Sequence, residues 1–257
     1  GSEWVKLSGG LPKGITGRIG LNVCRSRPEI VYACVEHENG GVFRSEDKGL
    51  TWEKMSDVNP RPMYYSKIRV DPDNDLRIWL LGASMYYSED GGRTWDTNLI
   101  ARSVREKRAV HGDHHALWIN PHDSNHMVLG SDGGVYLSYD QGQKWVFRDN
   151  LPIGQVYELG FDMSEPYNIG AGLQDNGTWY GPSAAWFRPR ITNDEWFKIG
   201  GADGFYVQID PRDPDRIYVE SQNGGIQRFN RKTGEYTSIK PVTESPEETY
   251  RFNWNAP

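Results

Sequence analysis

Three copies of an eight-residue pattern, Ser-x-Asp-x-Gly-x-(Thr/Lys)-Trp, constrain the fold of this chain more than any other feature. They occupy Ser45–Trp52, Ser88–Trp95 and Ser138–Trp145, and their tryptophans stand 43 and 50 residues apart. A repeat of this length is what a four-stranded blade requires. The spacing therefore predicts an all-β chain, a β-propeller of four-stranded blades.

Short apolar strands alternate with turn residues and divide the chain into blades. We expect a single, partial propeller over residues 1–257, with five complete blades at approximately 17–56, 65–98, 113–148, 154–200 and 203–240. Segments 1–7 and 250–257 are predicted to be pieces of flanking blades. Further blades would come from a longer parent protein or from another chain, or the two end pieces would close on each other.

The repeated pattern has the chemistry of a hairpin turn. Its Asp accepts backbone N–H bonds inside the turn, and its Gly adopts positive φ without steric cost. Thr and Trp then begin the next strand, where β-branched and aromatic side chains pack well. We interpret the conserved positions of the three copies as structural residues: Asp47, Trp52, Asp90, Trp95, Asp140 and Trp145.

Net charge bears on the class of ligand, and the two cysteines bear on disulfide formation. The net charge of −6 argues against a nucleic-acid ligand, and no apolar run has the length of a membrane span. Cys24 and Cys34 fall on adjacent antiparallel strands at offset positions, so we expect two free thiols and no disulfide. Nothing in the sequence indicates a cofactor.

Loops that enter the innermost strand and loops that leave the second strand open on one face of a propeller, around its channel. Carboxylates, imidazoles and tyrosines at such a concave mouth are what a ligand site needs. The ligand-binding residues predicted from these loops are Arg18, Tyr65, Lys67, His114, His115, Tyr157, Gln174 and Asn176. Tyr64 and Asp132 fall in the same set of loops.

The segment His111-Gly112-Asp113-His114-His115 is the sharpest of these loops. Strand alternation sends His114 and His115 to opposite sides, so at most one of them faces the channel beside Asp113. His111, Asp113 and His115 are candidate metal ligands. The alternative is that Asp113 and one histidine satisfy backbone groups while the other histidine packs between blades. The basic insert that follows Ala101 stands next to this segment and would attract anions, or it is a solvated run.

Carboxylates in the same loops offer the chemistry of glycoside hydrolysis. The candidate catalytic residues are Asp113, Asp175 and Asp203, and a catalytic pair needs about 5–9 Å between its carboxyl groups. Asp175 and Asp203 lie in glycine-rich surroundings, which suit ordinary Asx turns equally well.

The turn pattern resembles the Asp-box, or bacterial neuraminidase repeat, of sialidases, two-propeller xyloglucanases and sortilin. Further stretches, Leu11–Gly20, His111–Ile119, Gly172–Asn176 and Trp196–Gly204, resemble large bacterial Asp-box proteins with a sortilin-like, glycosyl hydrolase-like propeller. This resemblance implies an exported protein that is secreted, periplasmic or at the cell surface. It implies a carbohydrate-active or carbohydrate-binding channel face; the alternative is a non-catalytic, sortilin-like scaffold that binds peptide or protein.

Overall fold

The computed structural model describes residues 3–7, 9–98, 110–151, 153–245 and 248–256. Within these residues the chain is all-β, with nineteen strands, no α-helix and one short 3₁₀ helix at Asn193–Glu195. The expected all-β class is therefore confirmed. The strands form antiparallel sheets, and each sheet is a meander of strands that are consecutive in sequence.

Three of these sheets lie in a first compact unit, Gly1–Leu151. The first sheet contains β1 (Ile19–Val23), β2 (Val31–Val35), β3 (Gly41–Ser45) and β4 (Glu53–Ser56). The second contains β5 (Lys67–Val70), β6 (Ile78–Leu81) and β7 (Met85–Ser88). The third contains β8 (His114–Ile119), β9 (Met127–Ser131), β10 (Gly134–Ser138) and β11 (Val146–Phe147).

A second compact unit, Pro152–Pro257, contains two sheets. One is formed by β12 (Val156–Phe161), β13 (Asn168–Leu173), β14 (Gly177–Pro182) and β15 (Phe197–Gly200). The other is formed by β16 (Gly204–Asp210), β17 (Asp213–Ser221), β18 (Gln227–Asn230) and β19 (Tyr236–Ser238). Each of the five sheets in the described residues falls inside one predicted blade range.

The second sheet departs from the predicted four strands. One antiparallel bridge between Tyr87 and Asp96 stands where its outer strand was expected. The Asp96 carboxylate accepts the backbone N–H of Asn98 at 2.8 Å, and such a local bond competes with continuation of the ladder. The sheet therefore has three strands.

The Asp-box turns are closed by hydrogen bonds of the Ser and Asp side chains. In the first box Asp47 accepts the Thr51 N–H at 2.8 Å and the Thr51 hydroxyl at 2.6 Å. Ser45 Oγ accepts the N–H of Gly49 at 2.8 Å, and Gly49 has a φ of +90°, which explains the glycine. Hydrogen bonds from the side chain and backbone of Thr51 lower the pKa of Asp47 to about 2.

The sheets of the first unit pack through the alternation of β6. Ile78 and Leu80 belong to a buried cluster with first-sheet residues such as Tyr32. Trp79 and Leu81 point to the other face of the strand and pack with residues of the third sheet. The side chains of β6 are all buried, and this strand therefore packs its own sheet against the first and the third sheets.

The first strands of the three sheets in the first unit (β1, β5 and β8), which the propeller interpretation makes the innermost strands, are also joined by side chains that bond the neighbouring backbone. An innermost strand has one edge with no partner strand, so its backbone groups need other partners. Arg18 Nη1 donates to the carbonyl of Tyr64 at 2.6 Å, and Asn22 Oδ1 accepts the N–H of Val70 at 2.8 Å. The same contacts continue to the third sheet, from Lys67 Nζ to the His115 carbonyl at 2.7 Å and from Arg69 Nε to the Leu117 carbonyl at 2.9 Å.

Both cysteines are free thiols, as expected, and both are fully buried. Cys34 stands opposite Gly20 in the β1–β2 ladder, while Cys24 N–H bonds the carbonyl of Ile30. Burial raises the pKa of Cys34 to about 12. Residues 3–7 and 250–256 form no strand, and their assignment to flanking blades stays a prediction.

We expect Ser88→Ala to lower the free energy of unfolding by about 1–3 kcal/mol. Ser88 is 2% exposed, and its Oγ accepts the N–H of buried Gly92 at 2.8 Å, so alanine leaves that donor without a partner. Urea unfolding followed by tryptophan fluorescence measures the change. Ser84→Ala, at an exposed position four residues earlier, is the control and should leave stability unchanged; equal loss in both variants would contradict the role of the box.

Candidate functional site

Aromatic and acidic side chains converge in the first unit where β5 and β8 begin. The Tyr65 hydroxyl donates to Asp113 Oδ1, and His115 Nε2 lies 3.1 Å from Asp132 Oδ1. The Tyr65 ring centre is 4.9 Å from that of Tyr64 and 5.2 Å from that of His115. We call these five residues the tyrosine–histidine cluster.

The backbone around the cluster is held in conformations that side chains rarely adopt. Arg61, Ser66 and Asp113 have φ values of 48°, 43° and 55°. Such left-handed positions cost about 1–3 kcal/mol each and persist where the surroundings over-determine them. The Asp113 N–H bonds the Ala83 carbonyl at 3.2 Å, and the Asp113 carbonyl accepts the Asp132 N–H at 3.2 Å. These bonds aim the two carboxylates at the aromatic rings.

Burial separates the roles of the two tyrosines. Tyr65 is fully buried, whereas Tyr64 is 45% exposed. Desolvation, followed by the hydrogen bond to Asp113, raises the pKa of Tyr65 above its ordinary value. The phenol of Tyr65 is therefore a protonated donor that orients Asp113, whereas the Tyr64 side chain is in contact with solvent.

The two predicted cationic residues, Arg18 and Lys67, form hydrogen bonds with the backbone of the cluster. Arg18 donates to the Tyr64 carbonyl and Lys67 to the His115 carbonyl, as described above. Desolvation, with the charges of Arg18 and Arg69, lowers the pKa of Lys67. Arg61, which the sequence interpretation did not include, places its guanidinium carbon 4.6 Å from the Tyr64 ring centre. Its position depends on loop conformation, for which the sequence carries no signal.

His114 and His115 point to different environments. His115 belongs to the cluster, whereas His114 is 1% exposed and neither ring nitrogen has a hydrogen-bond partner within the described residues. A ligand at the cluster therefore meets His115 and not His114. Burial lowers the pKa of His114 to about 4, against a smaller opposing effect of the Gly82 carbonyl.

The candidate metal ligands are not assembled into a site. His111 Nδ1 lies 3.1 Å from the Gly112 carbonyl oxygen, and the His111 N–H donates to the Tyr136 hydroxyl at 3.0 Å. Over the described ranges, no group of three or more His, Cys, Asp or Glu side chains is arranged to hold a metal ion. Metal binding by His111, Asp113 and His115 stays a prediction. The basic insert was predicted over residues 101–110, and its residues 101–109 lie outside the described part of the chain.

The second unit brings several other predicted residues together at a turn. Asp203 is 4% exposed, and its Oδ1 accepts the N–H of Asp175 at 2.7 Å. Asp175 has a φ of 60°, and Gly177 forms a parallel bridge with Asp203. The Asp203 carboxylate thus supports the β13–β14 turn from 28 residues away, which differs from the local Asx turn that was one of the two interpretations of these carboxylates.

The remaining predicted ligand residues of the second unit flank that turn. The Asn176 amide donates to the Gln174 carbonyl at 3.0 Å, and the Tyr157 ring stacks on Phe205 with ring centres 4.9 Å apart. Desolvation, followed by the charges of Asp203 and Asp175, raises the pKa of Tyr157. Tyr157 therefore lies near both carboxylates.

The described part of the chain contains no helix with the length and hydropathy needed to cross a bilayer.

Comparison with known proteins supports the interpretation of the repeats. Residues 86–97, which include the second box, match the BNR/Asp-box repeat family. A curated relative, the oligoxyloglucan-reducing end-specific xyloglucanase of Emericella nidulans, is 23% identical over 284 residues that cover 85% of this chain and 33% of the relative. The chain thus spans about a third of that protein's length. This chain thus carries an Asp-box repeat and is similar to a xyloglucanase over most of its length.

Solved structures give partial superpositions. The GH74 xyloglucanase from Xanthomonas campestris has a TM-score of 0.38 and 17% identity over 84% of this chain and 36% of that one. YCF48 bound to D1 peptide has a TM-score of 0.34 and 17% identity over 87% of this chain and 66% of that one.

Acid should destabilise the first unit through His114. Its pKa is near 6.5 when unfolded and about 4 when folded, so the unfolded state takes up the proton first as the pH falls. The free energy of unfolding is therefore unaffected by this group above pH 6.5. It falls progressively between pH 6.5 and pH 4, by about 3 kcal/mol in total. We expect urea titrations of His114→Leu to show a smaller loss of stability over this range.

The control for this titration is His122→Leu, at an exposed histidine of the same unit. It should retain the wild-type dependence on pH. An unchanged dependence in His114→Leu would mean that other groups cause the acid sensitivity.

Substitutions of Asp203 distinguish a turn residue from a catalytic one. Asp203→Ala removes the acceptor of the Asp175 N–H and should cost about 1–3 kcal/mol, whereas Asp203→Asn keeps an oxygen acceptor and most of the stability. Thermal unfolding measures both variants. A catalytic carboxylate behaves differently, because asparagine abolishes its chemistry while the fold is preserved; full stability in Asp203→Ala would exclude the turn role.

Proposed function

We propose that the chain is part of a β-propeller whose channel face binds a polysaccharide at the tyrosine–histidine cluster. Meander sheets and Asp-box turns support the propeller. The xyloglucanase relative supports a glucan with xylose side chains as the ligand class. Because the chain covers a third of that relative, further blades, from the same parent protein or another chain, belong to the proposal.

The observation that carries the proposal is the combination of an exposed ring with oriented carboxylates. The Tyr64 side chain is 45% exposed, and an aromatic ring packs against the apolar C–H face of a sugar ring. Asp113 and Asp132 lie beside it and accept hydrogen bonds, as sugar hydroxyls require. Arg61 on Tyr64 and Arg18 on its carbonyl hold the ring in place.

We extend the same proposal from binding of the polysaccharide to hydrolysis of its glycosidic bonds. Asp113 is the carboxylate of the cluster that would contact a glycosidic bond, because the Tyr65 hydroxyl donates to its Oδ1 and holds it in one orientation. An ionised carboxylate suits a base or a charge-stabilising group, and a general acid of raised pKa would have to accompany it. Asp175 and Asp203 remain the other candidates from the sequence.

Export is part of this proposal for a physical reason. A polymeric glucan does not cross a membrane, so a protein that acts on it has to meet it outside the cytoplasm. A secreted, periplasmic or cell-surface location is therefore proposed together with the ligand.

Calorimetric titration with xyloglucan oligosaccharides tests the binding. We expect Tyr64→Ala to weaken binding about tenfold, because an aromatic stacking contact contributes about 1–1.5 kcal/mol. Tyr139→Ala is the matched control, since Tyr139 is 62% exposed and lies outside the cluster. Absence of saturable binding to any neutral glucan oligosaccharide would overturn the proposal.

Two further readouts separate the alternatives. Release of reducing ends that is lost in Asp113→Asn while binding remains would establish the catalytic form. Saturable binding of a peptide library, weakened by Tyr64→Ala and with no sugar bound, would instead establish the sortilin-like scaffold.

A further inference from the structure

A second concave site lies at the opposite ends of the same innermost strands. A cavity of about 260 Å³ is formed where β1, β5 and β8 end, and its lining includes Asn22, Arg25, Arg69 and Trp118. The tyrosine–histidine cluster stands where β5 and β8 begin, so the two sites are separated by the length of the strands. The cavity uses no residue of the proposed polysaccharide site.

Arg69 is held in one orientation with part of its guanidinium unused. Its Nε donates to the Leu117 carbonyl at 2.9 Å and its Nη1 to the Ile68 carbonyl at 2.8 Å. Within the described residues, Nη2 has no hydrogen-bond acceptor and Arg69 has no ion-pair partner. Burial lowers the pKa of Arg69, as expected for a cation without a counter-ion. A fixed guanidinium with free donors is suited to bind a planar oxyanion.

The other polar groups of the cavity are donors as well. The side-chain oxygen of Asn22 accepts the Val70 N–H, so its NH₂ group is the part that remains for a ligand. Arg25 is exposed and forms no ion pair with any described residue. The cavity therefore combines two guanidinium groups with an amide donor.

No carboxylate lines the cavity among the described residues. The acid nearest in sequence, Asp71, is 1% exposed and is already engaged by Arg77 at 3.3 Å and by the Ser124 hydroxyl at 2.6 Å. The positive charge of the cavity is thus left uncompensated by the protein. A bound anion would supply the missing charge.

Trp118 adds a platform beside these donors. Its ring is 49% exposed and is supported edge-to-face by His126, with ring centres 5.6 Å apart. We propose that this cavity binds an anionic ring compound, with its carboxylate or sulfate on Arg25 and Arg69 and its ring on Trp118. A uronic acid and a sulfated sugar share this chemistry.

Titration at constant ionic strength with glucuronate, glucose 6-sulfate, inorganic sulfate and glucose tests the proposal. We expect both charged sugars to bind saturably, inorganic sulfate more weakly and glucose not at all. The tighter of the two charged sugars identifies whether the anion is a carboxylate or a sulfate. Failure of both charged sugars to bind overturns the proposal and leaves the polysaccharide site unaffected, because that site is tested with neutral oligosaccharides.

Variants assign the binding to the cavity. Arg25→Gln should weaken both charged sugars about tenfold, as expected for loss of one charge-assisted hydrogen bond. Arg148→Gln, at an exposed arginine of the same unit, is the matched control and should have no effect. Trp118→Leu should weaken the charged sugars and leave inorganic sulfate unchanged.

Arg69→Gln should abolish binding, but it also removes a bond to β8, so circular dichroism and the melting temperature are recorded for each variant. Arg25 has no such structural bond, which makes Arg25→Gln decisive. Equal weakening by Arg25→Gln and Arg148→Gln, or no effect of Arg25→Gln, would overturn the assignment.

Discussion

The free edge of the innermost strands is the constraint on which the first unit depends. A strand with a partner on only one side leaves backbone donors and acceptors unpaired, and these cannot be buried without partners. Four polar side chains supply them from one sheet to the next: Arg18, Asn22, Lys67 and Arg69. Together with the buried faces of β6, these bonds set where each innermost strand begins and ends.

Both proposed sites follow from that constraint. Because Lys67 bonds the His115 carbonyl, the start of β5 is held beside the start of β8, and Tyr65 reaches Asp113. Because Arg69 bonds the Leu117 carbonyl, the far ends of the same strands enclose a cavity with free guanidinium donors. The side chains that satisfy the strand edges thus also place cations at the ligand surfaces.

Local chemistry was predictable from the sequence, and the combination of distant loops was not. The box turns follow from short-range bonds such as Thr51 to Asp47, and these need no tertiary information. The alternation rule also separated His114 from His115, although it could not say which one is buried. The second sheet keeps only the Tyr87–Asp96 bridge in place of its predicted outer strand, because the Asn98 N–H bonds the Asp96 carboxylate instead of the neighbouring strand.

By itself the sequence determined the all-β class and the repeated turns, because these depend on residue spacing and on bonds within a few positions. Only the tertiary structure decided that Tyr64 is exposed while Tyr65 is buried, that Asp203 supports a turn, and that Trp118 lies beside two arginines with no ion-pair partner among the described residues. Burial and charge compensation depend on neighbours about 50 residues away, and a single sequence does not record which of them meet.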